Sequence, residues 1–256
     1  MHMEPLVIKG MPIGQGRPKI IISLMHAEAA DACATAKRGR QAGVDCFEWR
    51  GDFCRNVHDI PNMIEDACLV ADCLPHNPLL FTFRSVDQGG QMDLPVDAYV
   101  ALNEALIETG CIDMVDIETW IGDAAVSDLI AHAHAHGVAT VVSYHNFAGT
   151  PQTDWMVSLL THIADLGADI PKIAVMARTA ADTLRLLAAT EEVARVHTDK
   201  PLLTMAMGTQ GSISRLSGEL FGSALTFCAL EASSAPGQVD VARARLIMDA
   251  FHDVLA

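Results

Sequence analysis

The chain is short of positive charge. Its 17 Lys and Arg stand against 32 Asp and Glu, a formal charge of −15 over 256 residues. Such a surface repels phosphate backbones and anionic bilayers, so neither nucleic acid nor a membrane is an expected partner. Long apolar runs are also missing. The best run near the N-terminus, residues 20–25, is far below the roughly 20 residues that cross a bilayer, and no signal-peptide pattern precedes it. The seven cysteines (Cys33, Cys46, Cys54, Cys68, Cys73, Cys111 and Cys228) are odd in number and contain no C-x-x-C. That argues against a disulfide framework or a zinc ribbon, and fits a reducing cytoplasm. No G-x-G-x-x-G follows the first apolar run, which disfavours a doubly wound dinucleotide fold. There is no repeat, linker or low-complexity tract, and a single domain spanning 1–256 accounts for the length.

Half of the residues are apolar and only 19% are charged, enough to bury a substantial core. Short β-rich runs recur at residues 20–25, 44–49, 79–83, 114–117, 139–144, 172–176, 202–205 and 224–230. Amphipathic, Ala-rich stretches separate most of them, among them 27–42, 96–109, 154–166, 180–197 and 239–254. Gly43, Gly110, Gly137 and Gly167 stand where four of these stretches end, as helix C′ residues do. Strands and helices alternating in this way predict an α/β protein, a (β/α)8 barrel of the usual length of about 250 residues. The Gly- and Pro-rich segment 5–18, with a small apolar run at 6–8, reads as a hairpin closing the barrel's N-terminal end.

In such a barrel the strand interiors are apolar and the C-terminal strand ends carry the chemistry. The polar exceptions fall there. Glu48 and Arg50 share a strand face, Arg84 ends the third run, Asp116 and Glu118 share a face of the fourth, and Ser143 and His145 share a face of the fifth. Lys172 lies inside an apolar strand, where desolvation lowers an amine's pKa toward the range in which it attacks carbonyls. The competing reading is a lysine at a strand start whose stem carries its charge to water. His145 suits proton transfer in both directions. A hydrogen-bonded histidine in a turn is its bland alternative, but the fifth and sixth strands are neighbours, so the pair says more than either member. His132, His134 and His136 lie on a predicted helix without the glutamate of H-E-x-x-H and read as a solvated face, so no metal is expected there. Residues 208–212 match no phosphate-loop pattern, and Met205 and Met207 read as core or pocket wall.

Taken in order, these motifs resemble type I 3-dehydroquinate dehydratase. The resemblance runs from Lys19-Ile20-Ile21-Ile22-Ser23 through Glu48-Trp49-Arg50-Gly51-Asp52, Leu80-Phe81-Thr82-Phe83-Arg84, Asp116-Ile117-Glu118, Ser143-Tyr144-His145-Asn146-Phe147, Asp169-Ile170-Pro171-Lys172-Ile173 and Ser214-Arg215-Leu216-Ser217-Gly218 to Ala235-Pro236-Gly237-Gln238. It implies a hydro-lyase that converts 3-dehydroquinate to 3-dehydroshikimate, in the shikimate pathway or in quinate breakdown, without metal or cofactor. Lys172 would form a Schiff base with the C3 ketone and His145 would be the general acid/base. Arg215, Ser234 and Gln238 would hold the ring carboxylate. Glu48, Arg50 and Arg84 would hold the ring hydroxyls, with Ser23 close by. The resemblance also implies a homodimer. One position departs from it: Gln88 stands where the family usually has a glutamate four residues after the arginine.

Asp116 or Glu118 is expected to orient the second nitrogen of His145, with Asp116 taken as the candidate. The loop 233–238 has the composition of a flap that closes over substrate. Two rivals stand beside this reading: another Schiff-base barrel of the aldolase type, and a catalytically idle barrel serving as a binding protein. The first would need a phosphate cup, which the sequence lacks. The second is opposed by the presence of both Lys172 and His145.

Overall fold

The computed structural model describes residues 4–231 and 233–255. The chain begins with an antiparallel hairpin, β1 (Leu6–Ile8) and β2 (Met11–Ile13). Then strands and helices alternate: β3 (Lys19–Leu24), α1 (Ala29–Gln41), β4 (Cys46–Arg50), α2 (Ile60–Asp72), β5 (Leu79–Thr82), α3 (Val96–Glu108), β6 (Met114–Glu118) and α4 (Asp123–Ala135). The second half continues with β7 (Ala139–Asn146), α5 (Thr153–Asp165), β8 (Ile170–Met176), α6 (Ala180–Glu192), β9 (Leu203–Met207), α7 (Gly218–Phe221), β10 (Leu225–Phe227) and α8 (Val241–Leu255). The last eight strands pair in parallel, β10 lying beside β3 and the others following in chain order to β9. The seam between β9 and β10 is closed by a Leu202–Ser223 bridge and by Ala224 N–H donating to Leu202 O at 2.7 Å. The result is the (β/α)8 barrel that the alternation of runs predicts.

Period-two alternation along each strand sorts the side chains into two cores. Ile20, Ile22, Phe47, Trp49, Phe81, Val115, Ile117 and Val142 point outward and are covered by α1 to α4, while Ile173, Val175 and Ala206 meet α5 and α6. The alternate residues point inward. Ile21, Cys46, Leu80, Met114, Val141, Ile170, Leu203 and Leu225 fill the N-terminal half of the barrel, and Ile8 and Ile13 of the hairpin join the same cluster. The hairpin therefore plugs that end. One step further along β4 to β8 the inward positions turn polar, Glu48, Thr82, Asp116, Ser143 and Lys172 all being buried, while Met205 of β9 and Phe227 of β10 stay apolar. The site is thus the upper layer of the barrel interior, set on a packed floor of aliphatic side chains.

Gly43, Gly110, Gly137 and Gly167 all adopt positive φ at helix ends, as their positions predict. The cysteines depart from expectation in one pair. Cys68 on α2 and Cys111, just beyond α3, form a disulfide across a sequence separation of 43 residues. The pair is invisible to spacing rules because packing of two adjacent helices, rather than proximity in sequence, brings the thiols together. Among the described residues no helix is long and apolar enough to cross a membrane.

Candidate active site

A cavity opens at the C-terminal mouth of the barrel, the end at which sites of this architecture are built. Lys172, His145, Glu48, Arg50, Arg84, Gln88, Arg215, Ser234 and Gln238 all line it. Lys172 is 1% exposed. Register explains its reach: it pairs with Ser143 of β7 on one side and Leu203 of β9 on the other, just above the aliphatic floor. Its Nζ donates to Asp116 Oδ2 at 2.7 Å, lies 4.0 Å from Glu48 Oε1, and sits 5.1 Å from the centroid of the Phe227 ring.

Burial lowers the Lys172 pKa from its ordinary value; the charges of Asp116 and Glu48 work the other way, Arg84 adds to the lowering, and the net shift is downward. Asp116 itself stays ionised. Burial would raise its carboxyl, but the Arg84 and Lys172 charges outweigh that and hold it well below the usual carboxylate range. Arg84 anchors the cluster through Nη1 to Glu118 Oε1 (2.6 Å) and Ser143 Oγ (2.9 Å), and through Nη2 to Asp116 Oδ2 (2.8 Å). Ser143 Oγ in turn donates to Asp116 Oδ1 at 2.6 Å. Glu118 also accepts the indole N–H of Trp120 at 2.5 Å.

The orientation of His145 corrects the sequence-based expectation. Neither Asp116 nor Glu118 hydrogen-bonds to it, because both carboxylates are held by Arg84. Gln88 does so instead: its Oε1 accepts the His145 backbone N–H at 2.9 Å and Nδ1–H at 3.0 Å. An acceptor on Nδ1 fixes the neutral tautomer whose Nε2 carries the lone pair. A tight turn aims the amide. Val86–Gln88 forms a single 3-10 turn, and a Cβ on Gly90 would lie 1.7 Å from Arg84 O, so the chain returns here only with glycine. Burial, assisted by the Arg84 and Lys172 charges, pushes the imidazole pKa well below its ordinary range. His145 is therefore a neutral base at neutral pH.

A prediction follows from the uncharged partner. In Gln88→Glu a carboxylate beside the ring stabilises the imidazolium, so the His145 pKa rises. The ring should therefore take up its proton at a pH higher by roughly one unit than in the wild type. An NMR titration of the His145 ring in both proteins checks this, and an unmoved titration would contradict it.

The remaining predicted residues take distinct places. Ser23 Oγ donates to Glu48 Oε2 at 2.5 Å, and Thr82 Oγ1 donates to Glu48 Oε1 at 3.0 Å. Arg50 faces the cavity but is clamped bidentately by Asp52, at 2.7 and 2.8 Å, and lies over Phe53. Arg84, expected at the ring hydroxyls, already has three of its hydrogen bonds within the protein; its clearest structural role is to position Asp116 and Glu118. The eighth loop rests against the seventh, with Gly208 N–H donating to Pro236 O at 3.0 Å. Ser234 Oγ donates to Ser23 Oγ (3.1 Å), whose own proton goes to Glu48, and accepts from Gln238 Nε2 (2.6 Å), so the loop covers the mouth. Ala232 lies outside the described residues.

Arg215 is the unsatisfied member. It is 2% exposed, and among the described residues its hydrogen bonds are two long ones to Phe227 O (3.5 Å) and Pro236 O (3.4 Å), with no partner for its Nε. No carboxylate faces it among the described residues, and burial lowers its pKa to about 10. It is still a cation at neutral pH, and it lacks an anion. Phe227 and Thr82 are not identifiable from the sequence because their roles depend on register across strands, whereas Asp52, two residues after Arg50, is the local signal that the guanidinium is clamped.

Fold and cavity together define a barrel enzyme whose site is a buried amine beside a neutral imidazole and an unpaired guanidinium. Comparisons narrow the class. Residues 20–254 match the family model described as Type I 3-dehydroquinase. A 3-dehydroquinate dehydratase of Salmonella agona is 43% identical over 250 residues, covering 98% of this chain and 99% of that one. The type I 3-dehydroquinate dehydratase of Clostridium difficile, solved with covalently modified comenic acid, superposes with a TM-score of 0.95 at 39% identity and covers 98% and 99% of the two chains. The enzyme of Geobacillus kaustophilus gives 0.94 at 35% identity, over 98% and 97%. The chain belongs to the type I 3-dehydroquinase family.

Proposed function

We propose that this protein dehydrates 3-dehydroquinate to 3-dehydroshikimate through an imine on Lys172. The observation that carries the reading is the convergence on one cavity of a buried amine with lowered pKa, a neutral imidazole of fixed tautomer, and a buried arginine without a carboxylate. Each group answers one chemical need. Elimination removes a proton from C2 and hydroxide from C1, and the electrons left at C2 need an acceptor. A ketone is a poor one and a protonated imine a good one. Neutral Lys172 adds to the C3 carbonyl and water leaves, placing that acceptor beside the proton to be removed.

His145 Nε2 takes the C2 proton as the imine becomes an enamine. The imidazolium then delivers the proton to the departing C1 hydroxyl, the C1–O bond breaks, and the electron pair returns through the enamine. Hydrolysis of the conjugated imine consumes one water, equal to that released on imine formation, and frees the amine, so the net change is the one water lost in the elimination. Asp116, held ionised by Arg84, stabilises the nitrogen cation that forms on Lys172. Glu48, with Ser23 and Thr82 fixing both its oxygens, and Arg50 present polar groups for the ring hydroxyls. The loop carrying Ser234 and Gln238 excludes water.

Arg215 is assigned the ring carboxylate. A guanidinium offers a planar pair of donors that suits a carboxylate, and fixing that end sets which C2 hydrogen faces His145. Arg215→Leu is expected to lower kcat/KM for 3-dehydroquinate by about 10² to 10³, since the substrate's anion is then desolvated without a partner. Steady-state rates with purified variant and wild type test this. A variant with unchanged kcat/KM would remove the assignment, and a wild type that fails to turn over 3-dehydroquinate would remove the reading as a whole.

A further inference from the structure

The three histidines of α4 match no local metal motif, but the structure brings a carboxylate to two of them. His132 lies in the last turn of α4 and His136 caps it, one helical turn apart on the same face, with ring centroids 4.6 Å apart. Glu108, the last residue of α3, approaches from the neighbouring helix, with its Oε1 3.4 Å from His132 Nε2. One ligand atom from each of the three lies within 4.8 Å of the others. The glutamate comes from another element, which is why no local motif announces it.

We propose that Glu108, His132 and His136 form a binding site for a borderline divalent transition cation, with Zn2+ as the reference ion, that pins α3 to α4. Two details of the hydrogen bonding fit a ligand role. His136 Nδ1 lies 2.9 Å from the His132 carbonyl oxygen, which can only accept, so Nδ1 carries the proton and Nε2 offers its lone pair. Metal-bound histidines are oriented in the same way, by a second-shell acceptor on the other nitrogen. His132 is half-buried between exposed Glu108 and His136, and its Nε2, shielded from solvent, makes no hydrogen bond although Glu108 Oε1 lies 3.4 Å away. A metal ion between these two atoms would give each of them a ligand bond.

The electrostatics point the same way. Both helices end at this place, and helix C-termini carry partial negative charge that favours a cation. Two imidazoles and one carboxylate are a donor set for Zn2+, Ni2+ or Cu2+, whereas Mg2+ and Ca2+ prefer oxygen. Three protein ligands leave the fourth position to water. The site lies at the helix C-terminal, strand N-terminal end of the barrel, opposite the mouth, where residues bear on stability rather than chemistry. The catalytic groups are untouched by it.

Titration of the purified, metal-stripped full chain with ZnCl2, by calorimetry and by thermal unfolding, tests the proposal. The expected result is a saturable site whose affinity falls at least about tenfold in His136→Ala and in Glu108→Gln. Zinc at about a hundredfold excess over its Kd should raise the wild-type Tm by several degrees, Mg2+ should leave it unmoved, and turnover should be equal in all three proteins. Absence of saturable zinc binding up to about 1 mM, within the range over which protein cation sites are tuned, would overturn it. So would an affinity unchanged in the His132→Ala/His136→Ala double variant.

Discussion

Lys172→Ala is expected to lose turnover of 3-dehydroquinate by roughly 10⁴-fold or more, the scale on which removal of a covalent nucleophile acts. The chain has five lysines, and Lys172 alone lines the cavity. Among the described residues no other primary amine lines the cavity to take its place. The loss should lie in kcat rather than in binding, because Arg215 and the residues around Glu48 remain. A folding defect is not the expected cause. Asp116 keeps Arg84 Nη2 and Ser143 as partners when the amine is gone. The direction of the Lys172 shift says that burial disfavours its charge more than its neighbours favour it. Lys172→Met, which fills the same volume without a charge, should remain folded, with Arg84 and Ser143 still holding Asp116, while being inactive. Circular dichroism melting beside the kinetic assay separates the two effects. A residual rate within tenfold of wild type in either variant would contradict the imine reading.

His145→Ala divides the reaction at a different point. Imine formation needs the Lys172 amine and should persist, whereas proton removal from C2 loses its base, and elimination should slow by roughly 10² to 10⁴. The split depends on geometry. Gln88 Oε1 occupies the Nδ1 side of the ring, so the proton-accepting Nε2 is the nitrogen left to act. Borohydride added to the variant with 3-dehydroquinate should still give a reduced, covalently modified protein, now carrying substrate rather than product. A variant that forms no adduct would place His145 in imine formation, contrary to the role assigned here.

Much of this molecule is legible in its sequence, and the limits have physical causes. Eight β-rich runs separated by Ala-rich stretches specify the barrel because period-two and period-3.6 patterns are local. Lys172 and His145 stand out because a cation and an imidazole are unusual within apolar strands. Pairwise contacts across strands are a different matter. That Asp116 faces Lys172 while His145 leans on Gln88 depends on the register of β6, β7 and β8 and on a loop that turns back at Gly90. Arg215 could be matched by motif, but its lack of a carboxylate partner is visible only once every neighbour is in place. Helix packing hides the Cys68–Cys111 pair and the approach of Glu108 to His132 and His136 for the same reason.

The central claim is a covalent bond between Lys172 and the substrate ketone. Incubation of the wild type with 3-dehydroquinate and sodium borohydride, followed by peptide mass mapping, tests it most directly. The account predicts loss of activity together with one adduct per chain, on the peptide that contains Lys172. Undiminished turnover with no adduct, or an adduct confined to another lysine, would contradict it.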